Sequence, residues 1–128
     1  MSRGADTVRR MYELFAAGDH DAAAELVDPN LEWDTSAAPN GVRVTGSDAA
    51  VRDYGAMLEV WEDYESVPER FVESGDHVLV VVHNRGRGAG GGVPIEARRA
   101  HLWRLRDGVP VAMRLYLDPD EAFEALER

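Results

Sequence analysis

Cysteine is absent from this chain of 128 residues, and its absence excludes several kinds of chemistry. Without a thiol, the protein can form no disulfide framework, no thiolate nucleophile and no thiolate metal site. The sequence has no apolar run near the roughly 20 residues of a transmembrane helix, and its N-terminus lacks the apolar segment of a secretory signal. We therefore expect neither a spanning helix nor secretion, and we predict a cytoplasmic location.

Basic side chains are few compared with acidic ones. The chain has 14 Lys and Arg against 24 Asp and Glu, which gives a formal net charge of −10. Nucleic acids and anionic membrane surfaces bind proteins that present a net basic surface. We therefore expect neither nucleic acid nor a membrane as a partner.

Motifs for metals and nucleotide cofactors are also missing. The four histidines are not spaced like metal ligands, so no metal site is predicted. Residues 86–91 match the letters of GxGxxG, but a strand that contains Pro94 follows them, where a dinucleotide site needs a helix. No Gly-x-Ser-x-Gly element is present. We expect the protein to work without a cofactor.

The length and a hydrophobic share of 45% indicate a single globular domain over residues 1–128. Apolar residues follow helical spacing in the first half of the chain and mostly strand patterns in the second half. Helices segregated from an antiparallel sheet define the α+β class, and a curved sheet wrapped around the N-terminal helices would leave an internal pocket. The predicted helices cover residues 6–17, 19–28, 47–61 and 119–128. The predicted strands cover residues 31–34, 65–73, 77–87, 93–106 and 109–117. A loop is predicted over residues 36–45, and a glycine-rich linker at the pocket rim is predicted over residues 86–92.

Residues 100–118 predict a β-hairpin that forms one wall of this pocket. Asp107 and Gly108 suit the central positions of a type I′ turn, where both residues need positive φ. That turn places His101 opposite Arg114, and directly opposed residues share a face of the sheet. This face mixes aromatic rings with ionisable groups, which a dry core does not need; its predicted members are Arg99, His101, Trp103, Arg114, Tyr116 and, at its end, Asp118.

The other face of the predicted hairpin is apolar. It would carry Leu102, Val111, Met113, Leu115 and Leu117. Because soluble monomers rarely expose an apolar surface of that size, we expect a homodimer that associates through this outer face of the sheet.

Three segments carry a resemblance to a known family. They are residues 17–19 (Ala-Gly-Asp) at the end of the first helix, residues 26–30 (Leu-Val-Asp-Pro-Asn), and the hairpin over 103–118. In these segments the chain resembles the SnoaL-like proteins of the nuclear transport factor 2-like superfamily, whose members include ketosteroid isomerases and polyketide cyclases. The resemblance covers essentially the whole chain. It implies a cone of curved sheet and helices, an apolar pocket and, commonly, a homodimer, but it does not imply one activity.

The resemblance also implies roles for individual residues. Asp34 falls near the base of ketosteroid isomerases, His101 aligns with the protonated acid of their oxyanion hole, and Asp118 is nearest to a late acidic residue of SnoaL cyclases. A neutral imidazole can donate to a developing enolate oxygen, and a carboxylate in apolar surroundings has a raised pKa that suits proton abstraction. Arg114 would then stabilise negative charge, because a guanidinium suits planar anions.

Two functions remain open at the level of sequence. The first is a cofactor-free isomerase, cyclase or dehydratase that acts on a small apolar aromatic or polycyclic carbonyl compound by acid–base chemistry. The second is a non-catalytic ligand-binding or dimerisation module, in which Asp34 lies on the surface and His101 is a hydrogen-bonded residue near the core. In both, the side chains expected to contact the ligand are Tyr12, Phe15, Trp33, Tyr54, Met57, Leu58, Trp61, Trp103 and Tyr116.

Overall fold

The computed structural model describes residues 3–88 and 92–127, which form an α+β fold. Helices dominate the first part of the chain, long strands follow, and one further helix comes last, as the periodicity predicts. The helices are α1 (Arg3–Ala16), α2 (His20–Ala24), α3 (Ser47–Glu59) and α4 (Pro119–Glu127). The strands are β1 (Glu32–Asp34), β2 (Arg43–Thr45), β3 (Trp61–Ser74), β4 (His77–Gly88), β5 (Pro94–Arg106) and β6 (Val109–Tyr116).

The strands form one curved sheet that does not close on itself, in the order β2-β1-β6-β5-β4-β3. Neighbouring strands pair antiparallel except β1 and β6, which run parallel. The prediction of an antiparallel sheet is thus confirmed for the long strands and wrong for this pair. A parallel pair needs a long connection, and the chain between β1 and β6 contains α3 and four strands. One of those strands, β2, lies in the predicted loop over residues 36–45.

Register shifts interrupt the long strands. Two of them lie in β3, between residues 62 and 65 and between residues 68 and 70, and a third lies between β5 and β6 at residues 104–105. A bulge leaves an extra residue in one strand, which bends that strand and increases its twist. The shifts therefore give a physical reason for the curvature of the sheet.

The two faces of the sheet are covered by different helices. Val78, Val80 and Val82 of β4 belong to the core shared with α1, and we call this side of the sheet the inner face. Leu79 and Val81 belong to a second core beneath α4, and we call that side the outer face. The uninterrupted apolar run in β4 is thus covered on both faces, as predicted.

The predicted hairpin forms, but its register shifts by one residue. Asp107 has a φ of 52° and Gly108 a φ of 78°, which confirms the type I′ turn. At the shift beside residues 104–105, Val111 is an extra residue in β6. The neighbouring Pro110 has no N–H to give to the ladder, and prolines within sheets occur at edges and bulges. Pro110 is therefore the sequence signal for this shift.

The shift exchanges the two faces of β6. His101 lies opposite Leu115, where Arg114 was expected, and Ala100 lies opposite Tyr116. Arg114 and Tyr116 therefore occupy the outer face, where Tyr116 packs against the core beneath α4. The prediction that these two side chains share a pocket wall with His101 is wrong, because the hairpin was paired without a bulge.

The predicted apolar face of the hairpin changes for the same reason. Met113 is only 3% exposed and belongs to the inner core, and Leu115 lies on the inner side opposite His101. Leu102 packs beneath α4, whereas Leu117 remains 39% exposed. The chain's own last helix thus covers part of the surface that was predicted to be a dimer interface.

Two predicted boundaries also move. Helix α3 ends at Glu59, so Trp61 is the first residue of β3 and not a member of the helical stripe. Strand β4 continues to Gly88, two residues into the predicted glycine-rich linker. Residues 89–91 of that linker lie outside the described residues. In the described part of the chain, no helix combines the length and apolar character needed to cross a membrane.

Candidate functional site

A chain of hydrogen bonds joins α1 to β5 on the inner side of the sheet. Trp103 Nε1–H donates to the hydroxyl oxygen of Tyr12 at 3.0 Å. The Tyr12 hydroxyl lies 2.5 Å from Nδ1 of His101. We call these three side chains the Tyr12 chain. In the sequence, Tyr12 is 89 positions from His101 and 91 positions from Trp103, so only the packing of α1 on the sheet brings Tyr12 to these two residues.

Local structure explains how the Tyr12 chain is held. Tyr12 follows the buried Met11 on the apolar side of α1, and its ring meets Phe71 edge-on at 5.8 Å. His101 and Trp103 are alternate residues of β5, so both side chains lie on the same face of the sheet. The imidazole of His101 stacks on the Tyr12 ring at 5.9 Å with an interplanar angle of 26°. Ring packing and hydrogen bonding thus fix the same geometry.

The surroundings keep both titratable members of the chain uncharged at neutral pH. Burial lowers the pKa of His101 from 6.5 to about 4. Burial also raises the pKa of Tyr12 far above its usual value of 10. Because Tyr12 keeps its proton and already accepts from Trp103, we assign its hydroxyl as the donor to Nδ1 of His101, an assignment that places the imidazole proton on Nε2. His101 is therefore a neutral N–H donor.

The inner core next to this chain encloses a small apolar cavity. Its volume is about 20 Å³, close to the space that one water molecule occupies. Trp103 belongs to both features, because its ring lines the cavity and its indole N–H is the first donor of the Tyr12 chain. The lining consists of Met11, Phe15, Ala23, Ala24, Val27, Leu31, Trp33, Ser47, Ala50, Val51, Tyr54 and Trp103.

Asp53 of α3 brings a carboxylate to this side of the sheet, next to the inner core. One of its oxygens accepts from Trp33 Nε1–H at 2.7 Å and from the Thr35 hydroxyl at 3.0 Å. The Trp33 ring meets the Trp103 ring edge-on at 6.3 Å. Sequence reasoning missed Asp53, because it stands in an ordinary amphipathic helix and its partners come from another element.

Comparison with known proteins agrees with this geometry. The sequence model of the SnoaL-like domain matches residues 8–113. The chain belongs to the SnoaL-like family. No curated protein matches its sequence.

Several solved structures share the fold of this SnoaL-like protein. An NTF2-like protein from Burkholderia thailandensis is 24% identical, with a TM-score of 0.84 and full coverage of both chains. TerC, co-crystallised with polyporic acid, is 21% identical, with a TM-score of 0.79 and coverage of 99% of this chain and 100% of its own. A protein from Jannaschia sp. CCS1, described as a SnoaL-like polyketide cyclase, is 22% identical, with a TM-score of 0.76 and coverage of 97% and 91%. Identities this low establish the fold and no more.

Asp34, proposed from the family resemblance as the base, lies away from His101. It is the strand partner of Arg114 and forms an ion pair with Arg43 at 3.2 Å. Partial burial acts to raise the pKa of Asp34, but hydrogen bonds from Ser36 and the two guanidinium groups outweigh it, so the pKa is lowered. The expectation that the pKa of Asp34 is raised is therefore wrong. A carboxylate held in its ionised form is a weak base for abstracting a carbon-bound proton.

The other predicted site residues divide between the two sides of the sheet. Phe15, Trp33, Tyr54 and Trp103 line the cavity. Asp118 instead begins α4, where its carboxylate accepts from the backbone N–H of Asp120 at 2.9 Å. The remaining predicted site residues do not line the cavity. Met57 and Leu58 are half-buried on α3, and Trp61 packs against Tyr64 on β3. Arg114 and Tyr116 lie together on the outer face.

Two further tyrosines lie near the Tyr12 chain. Burial raises the pKa of Tyr54 to about 12, and it also raises the pKa of Tyr64 above 10. Both phenols lie close enough to Tyr12 to influence its pKa. The inner side of the sheet therefore carries three neutral phenols, of which Tyr54 lines the cavity. Within the described residues, no group of three or more His, Asp or Glu side chains is arranged to hold a metal ion.

Proposed function

We propose that this SnoaL-like protein binds a small, largely apolar aromatic compound through a carbonyl or phenolic oxygen that accepts from Nε2–H of His101. The observation that carries the proposal is the Tyr12 chain, which holds the ring of His101 and supports the assignment of its proton to Nε2. A neutral N–H donor next to aromatic walls suits an oxygen on a flat apolar ligand. Tyr12, Phe15, Tyr54 and Trp103 supply those walls.

The size of the cavity adds a requirement to this proposal. A space of about 20 Å³ holds no aromatic ring, so the ligand must displace side chains or bind beside the cavity. Phe15 and Tyr54 are half-buried, meet edge-on at 5.1 Å and contact His20. Their movement would open the cavity toward solvent. TerC was co-crystallised with polyporic acid, which supports the choice of an oxygen-bearing ligand here.

Binding of 2-naphthol tests the proposal. We expect saturable quenching of tryptophan fluorescence in the wild-type protein and at least tenfold weaker binding in His101→Phe, which keeps a ring but removes the donor. His77→Phe is the matched control, because His77 lies at the start of β4 beside Asp76 and on the outer face of the sheet, opposite to the Tyr12 chain. Equal affinity of His101→Phe and wild type would overturn the proposal.

A second candidate function, proton transfer in a cofactor-free isomerase, cyclase or dehydratase, is favoured by Asp53. Its carboxylate is hydrogen-bonded on one oxygen to Trp33 and Thr35 and lies on the same side of the sheet as the cavity. In this proposal Asp53 takes the base role first assigned to Asp34, and His101 stabilises the enolate oxygen.

Hydrogen–deuterium exchange separates binding from catalysis. We expect wild-type protein to accelerate exchange at the α-carbon of 2-tetralone in D₂O, and Asp53→Asn to lose that acceleration while it still binds 2-naphthol. Asp34→Asn is the matched control and should retain it. Exchange no faster than in buffer would leave the non-catalytic ligand-binding module as the function.

Association and location also belong to the proposal. A homodimer that uses the exposed remainder of the outer face would appear as twice the monomer mass in sedimentation at micromolar concentration. A monomer at that concentration would contradict it. The cytoplasmic location stays a prediction from composition.

A further inference from the structure

Six of the 14 arginines of this acidic protein have a carboxylate partner. Arg10, Arg43, Arg85, Arg87, Arg98 and Arg104 all form ion pairs with Asp or Glu side chains. This is expected where acids outnumber bases by 24 to 14. Among the other arginines, one that is half-buried and lies on the inner face is informative.

Arg99 is such a residue. Within the described residues it forms no ion pair, and its side chain donates only from Nη1, to the backbone carbonyls of Arg98 at 3.0 Å and Leu117 at 3.1 Å. A guanidinium has five N–H donors, so the N–H groups on Nε and Nη2 remain. Arg52 and Arg106 are exposed, whereas Arg99 is half-buried.

The register of β5 places Arg99 on the inner face. It lies opposite Val82, which is fully buried in the inner core, and two residues before His101 on the same strand. Alternate residues of a strand share a face and stand about 7 Å apart. Arg99 and His101 are thus neighbouring donors on one wall, with Arg99 nearer to solvent.

The neighbouring inner positions are uncharged. Asn84 of β4 lies on the same face as Val82, and it accepts from the Ser66 hydroxyl at 2.6 Å. Ala97, the next inner residue of β5, lies opposite Asn84. Glu96 instead reaches His83 on the outer face, with 2.5 Å between oxygen and nitrogen. The wall around Arg99 therefore carries a positive charge that the neighbouring strand positions do not balance.

We propose that Arg99 binds a carboxylate of the ligand. The ligand is then an aromatic carboxylic acid with a second oxygen-bearing group, whose oxygen accepts from His101. This inference rests on the proposed function of the His101 site. The planar guanidinium can give two parallel N–H groups to one carboxylate, and a charge-assisted pair in a half-buried setting is stronger than a neutral hydrogen bond. The roughly 7 Å between the two residues matches a ring system that separates the two ligand groups.

Three naphthalene probes test the inference: 2-naphthol, 6-hydroxy-2-naphthoic acid and its carboxamide. The acid and the amide have the same shape and differ in charge. We expect the wild-type protein to bind the acid at least tenfold more tightly than the amide. Arg99→Gln should bind the two equally, and Arg99→Lys should keep part of the preference. Arg106→Gln, a solvent-exposed charge change on the same strand, should behave like wild type.

The outcomes separate this inference from the proposed function. If 2-naphthol binds through His101 but the acid and the amide bind equally to wild type, the carboxylate site is overturned and the proposed function stands. A preference for the acid that survives in Arg99→Gln also overturns the assignment. If none of the three probes binds, the proposed function falls, and this inference falls with it. Circular dichroism of each variant verifies that the fold is kept.

Discussion

The inner and outer faces of the sheet bury similar apolar residues but treat polar groups differently. On the inner face, Tyr12, His101 and Trp103 form a hydrogen-bonded chain of uncharged groups. On the outer face, polar side chains form ion pairs near solvent, such as Glu69 with Arg98 at 2.8 Å. Water screens the outer pairs, whereas the inner chain is protected from it.

This difference is the reason that we place the proposed ligand on the inner face. A core that serves stability alone can be filled with apolar side chains, and a buried hydrogen-bond chain costs desolvation that must be offset by good geometry. The outer core beneath α4 is of the first kind, with Leu79, Val81, Ala100 and Ala122. The inner face carries the features that a binding site needs. The following changes test this contrast, beginning with the largest expected effect.

Replacing Trp103 by alanine should destabilise the protein most. The side chain is 3% exposed, lines the cavity and donates to Tyr12, so Trp103→Ala removes a large buried ring and leaves a hydroxyl without its donor. We expect a loss of about 3–5 kcal/mol in the free energy of unfolding, measured by urea denaturation. Trp61→Ala, at a half-buried position, should cost clearly less. Equal losses would contradict the assignment of Trp103 to the core.

The protonation of His101 should make stability depend on pH. Its pKa is about 4 in the folded protein and about 6.5 when unfolded, so the folded state disfavours the charged ring. The stabilisation is complete above about pH 6.5 and is lost as the pH falls to 4 and below, with a total of about 3 kcal/mol. The difference in free energy of unfolding between wild type and His101→Gln, measured from pH 8 to pH 4, isolates this effect. A pH-independent difference would disprove the depressed pKa.

Removing the Tyr12 hydroxyl should have a smaller effect. Tyr12→Phe keeps the buried ring but leaves Trp103 Nε1–H and His101 Nδ1 without their shared partner. We expect a loss of about 1–2 kcal/mol in thermal or urea denaturation. Tyr116→Phe on the outer face is the matched control and should be nearly neutral. If both variants lose the same stability, the hydroxyl on the inner face contributes no more to stability than the hydroxyl on the outer face, and the contrast between the two faces fails.

The smallest expected change is at Asp118, at the start of α4. Its carboxylate accepts from the Asp120 N–H, so Asp118→Ala removes a helix cap and should cost about 1 kcal/mol. Because α4 covers the outer face, binding of 2-naphthol at the inner face should not change. Loss of ligand binding in this variant would restore Asp118 as a site residue and break the separation of the two faces.

The sequence predicts much of the fold because local signals agree with it. The helical spacing in α1, the continuous apolar run of β4 and the Asp107-Gly108 turn each determine a local element without reference to distant residues. The resemblance to SnoaL-like proteins also follows from the sequence, and the family match over residues 8–113 agrees with it.

The candidate site was only partly predictable. His101 and Trp103 were expected on one wall, and Tyr12 near them, but the hydrogen bonds among them depend on how α1 docks on the sheet. Asp53 carries no sequence signal, because its partners Trp33 and Thr35 come from a different element. A helical pattern identifies the buried side of a helix but does not identify which atoms it meets.

The sequence by itself determined the four helices and the long strands, the α+β class and the family, because these depend on the spacing of apolar residues and on turn chemistry along the chain. Only the tertiary structure decided which face each ionisable residue of the hairpin occupies. One extra residue, Val111 beside Pro110, moved Arg114 to the outer face and left Arg99 and His101 on the inner one. The reason is that side chains alternate with a period of two along a strand, so a shift of one residue transfers everything beyond it to the opposite face.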